Sequence, residues 1–90
     1  MSYSYPFEDH WSKQEIIDVV NFFSIVEKAY ESGVKQDEVM IAYTRFKQIV
    51  PAKSEEKQLC AKFEKESGYS CYRTVQKAET LRSGQRLTMQ

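Results

Sequence analysis

The chain is poor in everything that commonly builds a catalytic or metal centre. It has one histidine and two cysteines in 90 residues. Zinc needs about four nitrogen or sulfur ligands, and His10, Cys60 and Cys71 fall short and lie far apart in sequence. A redox pair is usually written C-x-x-C, and no such motif occurs. No glycine-rich phosphate loop and no G-x-S-x-G elbow is present. These absences tell against an enzyme and imply no cofactor and no metal. Apolar runs of about 18 residues are missing, so no membrane span is expected. MSYSYPFEDH lacks a basic segment followed by an apolar one, so it does not read as a secretion signal, and the expected location is cytoplasmic. Net charge is zero, giving no bulk attraction to nucleic acid. With three glycines and two prolines, each should mark a boundary.

What is present is enough to fold. Hydrophobic residues make up 41% and aromatics 13%, which argues against disorder. The length suits a single domain spanning residues 1–90, burying about 60–65% of its unfolded surface. Charge is uneven: residues 1–34 carry six acids and two bases, residues 35–90 seven acids and eleven bases. The halves can pack as complementary surfaces, or the basic half can offer a face to an acidic partner.

The periodicity predicts an all-α fold, a small four-helix domain with an extended aromatic N-terminal arm. Tyr3, Tyr5 and Phe7 alternate across residues 1–11, around Pro6. Ser12 and Glu15 make a capping box, flanked by the staple pair Trp11 and Ile16. Helix 1 should run from about 13 to 32 and stop at Gly33, with Val34 folding back on Ala29. Apolar residues cover over half of its wheel, which places it at the centre of the bundle. Helix 2, about 36–49, has a one-sided stripe of Val39, Ala42, Tyr43, Phe46 and Ile49, and Pro51 ends it. Helix 3, about 54–67, is a surface helix with Ser54 as its expected cap. Helix 4 should span about 71–81, leaving a fraying tail over 82–90.

SGYSCYRTVQ, residues 67–76, resembles the turn of a DNA-reading helix-turn-helix. The usual motif puts a small residue one helical turn before the turn glycine, where the helices touch; here it is Glu64. Arg73 and Lys77 share a face, but Glu79 intrudes. A structural corner accounts for each residue. Gly68 is the left-handed stop, Tyr69 folds back on Phe63, and Ser70 caps the next helix.

WSKQEIIDVVNFFSIVEKAYESGV, AYTRFKQIVPAKSEEK and SGYSCYRTVQKA together resemble uncharacterised protein family (UPF) 0223, small cytoplasmic proteins of bacillus-like Gram-positive bacteria. The resemblance runs from about Tyr5 to Ala78 and leaves out the tail. It implies a small helical domain and no assigned activity. It also implies that Ser54 and Cys71 stand where relatives more often carry Ala and Ser, so neither is a family-wide functional group.

The remaining reading is a protein-interaction or regulatory domain with an unknown protein partner. A homodimer is one form such contacts could take. The alternatives are a nucleic-acid binder using helix 4 and, more remotely, an enzyme. Ile17, Ile25, Met40 and Ile41 lie off the main stripes as surplus apolar groups, a candidate apolar interface or a wider core. Glu27 falls inside the apolar face of helix 1, where a bare carboxylate would cost several kcal/mol. Arg45, Arg73 and the hydroxyls of Tyr43 and Tyr72 are its candidate partners, with Arg73 foremost. Glu27, Arg45, Tyr69, Tyr72 and Arg73 thus form the candidate polar site. Cys60 and Cys71 lie on inward stripes, where a thiol acts as a small apolar group.

Overall fold

The computed structural model describes residues 8–89. The expected arm of Tyr3, Tyr5 and Phe7 lies outside them. Four helices form: α1 (Lys13–Glu31), α2 (Gln36–Ile49), α3 (Lys53–Ser67) and α4 (Cys71–Glu79). Two short strands join them, β1 (Val34–Lys35) and β2 (Arg86–Leu87).

Local chemistry explains most of the boundaries. Ser12 accepts from the Glu15 backbone while the Glu15 carboxylate accepts from the Ser12 N–H, so the capping box is formed. Gly33 and Gly68 take φ values of 97° and 82°, the left-handed region that ends α1 and α3. Ser70 caps α4 by accepting from the Arg73 N–H. Ser54 is not the cap of α3. That helix starts one residue earlier, with Ala52 at the cap and its carbonyl accepting from Glu56. The backbone is extended at Ala52 and helical from Lys53, so Ser54 sits exposed in the first turn. α4 ends at Glu79, and Thr80 and Leu81 finish it in a tighter turn onto Lys77 and Ala78.

α1 is central. It packs on α2 and α4, and its Phe23 stacks on Phe63 of α3 with ring centroids 4.7 Å apart. Phe22 stacks on Phe46 at 4.7 Å and meets Tyr43 at 5.7 Å. The five rings Tyr43, Phe22, Phe46, Phe23 and Phe63 thereby form one continuous aromatic core. Ile25 belongs to this core, not to an exposed interface: it is buried beside Phe22 and Val26. Its position looks polar only if α1 is covered on one side, and α1 is covered on several.

The tail does not fray. Arg86 and Leu87 pair antiparallel with Lys35 and Val34, and Leu87 is completely buried. The Met89 N–H donates to the Ala29 carbonyl at 2.8 Å, satisfying one of the acceptors that the end of α1 leaves open. Arg86 donates to the Ser32 carbonyl at 2.8 Å, and Asp37 accepts from Ser83 and from the Gly84 N–H. Residues 82–89 therefore clasp the turn between α1 and α2.

Candidate functional site

α1 and α2 run antiparallel, joined by a short connection, and this decides which charges meet. The C-terminal half of α2 lies beside the N-terminal half of α1. Arg45 accordingly donates to Asp18 at 2.8 Å instead of reaching Glu27, two turns further along α1. The guanidinium draws the Asp18 carboxyl below its ordinary value.

The remaining members of the expected constellation take further partners. Glu27 is half-buried, burial followed by the charge of Glu31 pushes its carboxyl up, and its own charge reaches Tyr69. Arg73 is exposed at the start of α4, where its backbone N–H donates to the Ser70 hydroxyl. Tyr43 donates to Glu56 at 2.9 Å, and the Tyr72 hydroxyl accepts from Gln76 at 3.3 Å. Tyr69 stacks on Tyr30, ring centroids 4.6 Å apart, while its hydroxyl donates to Glu31 at 2.8 Å. α1 therefore meets the corner at its C-terminal end, one turn beyond Glu27. Of the apolar candidates, Ile17 and Ile41 are exposed, whereas Met40 is half-buried against the core.

One place brings several functional side chains together. A groove of about 240 Å³ opens where α3 and α4 diverge over α2. α2 contributes Tyr43; α3 contributes Lys53, Glu56, Lys57 and Cys60. From α4 come Cys71, Tyr72, Val75, Gln76 and Glu79. Glu56 holds the floor together. One oxygen accepts from Tyr43 and the other from Lys47 at 2.7 Å, while Lys47 also donates to the Pro51 carbonyl. Burial, then the bond to Glu56, raises the Tyr43 phenol far above its ordinary value, so it stays a donor. Tyr72 is 72% exposed on the rim. Lys53 and Lys57 line it together with the acids Glu56 and Glu79, so the lining carries both signs.

Tyr72 was the one groove residue among the candidate site residues. Glu56 and the thiol pair were missed. Tyr43 and Lys47, four apart on the edge of α2, are the signal that could have found Glu56 in the first turn of the next helix. The thiol of Cys71 is buried, and Cys60, on the same groove wall, is half-buried. Burial, followed by the neighbouring Cys60 thiol, holds the Cys71 thiol well above its ordinary value. His10 lies away from the groove, its ring edge-on to Trp11 at 6.2 Å. Among the described residues no helix is long and apolar enough to cross a membrane, and no group of three potential ligands is placed to hold a metal ion.

Comparison with known proteins matches residues 2–86 to the model of an uncharacterised protein family, UPF0223. A UPF0223 protein of Oceanobacillus iheyensis is 60% identical over 78 residues, covering 87% of this chain and 89% of that protein. UPF0223 proteins of Staphylococcus aureus strains Newman and JH1 are each 54% identical over 88 residues, covering 98% of this chain and 97% of theirs. The likeness does not stop at Ala78. It takes in most of the tail, in keeping with the tail's place in the fold.

Proposed function

The chain belongs to the uncharacterised protein family UPF0223, and from that premise we propose that it is a non-catalytic interaction domain of the bacterial cytoplasm. Its partner is a protein segment held in the groove between α3 and α4. The observation that carries this reading is Tyr72. A large aromatic ring 72% exposed, on the rim of a concave site, is the kind of residue that anchors an interface. Tyrosine suits the role because it buries a wide apolar face while its hydroxyl stays wet. Val75 and Tyr43 supply apolar surface below it, and the lysines and acids of the walls supply a polar rim.

Nucleic acid fits less well. On the exposed face of α4, Lys77 is engaged with the Thr88 carbonyl at 3.0 Å, which leaves Arg73 to meet phosphate there. A DNA-reading helix needs several cations on that face for phosphate contacts.

The test is site-specific crosslinking in living cells. A photoreactive residue replacing Tyr72 should yield a discrete adduct with one partner, whereas the same residue at exposed Lys62, outside the groove, should not. An adduct of twice the chain's mass would make the partner a second copy. The same adducts from both positions, or none from position 72, would remove the groove as the docking site.

A further inference from the structure

We infer that Cys60 and Cys71 are a redox pair that closes to an intramolecular disulfide, tying α3 to α4 along the wall of the groove. The two cysteines are eleven residues apart, a spacing that carries no redox motif. The corner at Gly68 reverses the chain, however, and sets Cys71, the first residue of α4, against Cys60 on α3. Both side chains line the same groove, and the Cys60 thiol is near enough to act on the charge of Cys71. Cys71 is 3% exposed, while Cys60 is half-buried and reachable from the groove. The inference rests on this shared wall and on the unequal burial of the two thiols, and does not depend on a partner occupying the groove.

The asymmetry assigns the two roles. Cys71 is buried and Cys60 is reachable, so the first attack falls to Cys60; burial, the neighbouring Cys60 thiol and the charges of Glu64 and Glu56 also push the Cys71 thiol up. The oxidant is a low-molecular-weight disulfide. The Cys60 thiolate attacks one of its sulfurs, forms a mixed disulfide and expels one thiolate. Cys71 then loses its proton and attacks the Cys60 sulfur, forming the internal disulfide and expelling the second thiolate. Two protein thiols are oxidised and one small disulfide is reduced to two thiols, so atoms and electrons balance. In a reducing compartment such a bond is transient, which suits a sensor better than a structural brace.

Oxidised glutathione is the probe, applied to the intact native chain and read by mass spectrometry. The chain should lose about 2 Da, the two thiol hydrogens, and dithiothreitol should restore them. Trypsin cuts after Lys62 and Lys65, so the bond should appear as two joined peptides, one holding each cysteine. Cys71→Ser should stop at a single glutathione adduct on Cys60. Cys60→Ser should react at least about 10-fold more slowly, because the remaining thiol is buried. Adducts on both cysteines without the joined peptides, chains linked only to each other, or two unreacted thiols would each overturn the assignment. The wild-type chain carries the main result, so a poorly folded variant does not blur it.

Discussion

Tyr30 and Tyr69 lie face to face, ring planes 12° apart, and their hydroxyls do opposite jobs. Tyr30 accepts from the Ser70 N–H at 3.2 Å, and Tyr69 donates to Glu31 at 2.8 Å. The stack is the joint between the end of α1 and the corner that starts α4.

The two hydroxyls should differ in worth. Tyr30→Phe leaves the N–H of buried Ser70 without its acceptor, and a buried amide left unmade costs about 1–3 kcal/mol. Tyr69→Phe keeps the stack and loses only a bond made at the surface, so it should be close to neutral. Urea denaturation of both variants gives the comparison; equal costs would contradict the assignment of the buried bond to Tyr30.

Two glycines should also separate. At Gly68 an added Cβ meets nothing within 4 Å, so Gly68→Ala carries only the strain of positive φ, about 1 kcal/mol. At Gly33 the Cβ would come within 2.9 Å of Arg86 Nε and 3.0 Å of Thr88 Oγ1. Gly33→Ala must therefore bear strain and also push the tail away. Its denaturation midpoint should fall further than that of Gly68→Ala, and the reverse order would refute the clasp.

Leu87 tests the tail directly. Completely buried against the core, it should cost about 2–5 kcal/mol when cut to alanine. The exposed Ile41→Ala should stay within about 0.5 kcal/mol. A Leu87→Ala chain as stable as the parent would mean that the tail only rests on the domain.

The clasp should open in acid. The Gly84 N–H, then the Ser83 hydroxyl, favour the ionised Asp37 and hold its carboxyl below the ordinary value of 3.8. With the folded pKa depressed, the contribution of Asp37 is present above the unfolded value and is lost as pH falls through the folded one. The Gly84 amide resonance should therefore move in a single step centred below pH 3.8, and Asp37→Asn should abolish that step. A midpoint at or above 3.8 would show that the two donors do not favour the carboxylate.

Much of the fold was written in local signals. Ser12 with Glu15, Gly33, Gly68 and Ser70 each act on backbone groups within a few residues, so their effects can be read without knowing the rest of the molecule. The wheel of α1 likewise announced a helix covered on several sides. What local pattern could not decide was which distant groups meet. The antiparallel register of α1 and α2 gave Arg45 to Asp18, and the corner gave Tyr69 to Tyr30 and Glu31. The tail looked loose because RSGQRLTMQ has no helical period; its order comes from open backbone groups at the end of α1 and from a pocket for Leu87, both provided by other segments. Cys60 and Cys71 each resembled ordinary core residues for the same reason. Their partnership is a distance across two helices, set only once Gly68 has turned the chain back and the aromatic core has fixed α3 against α1.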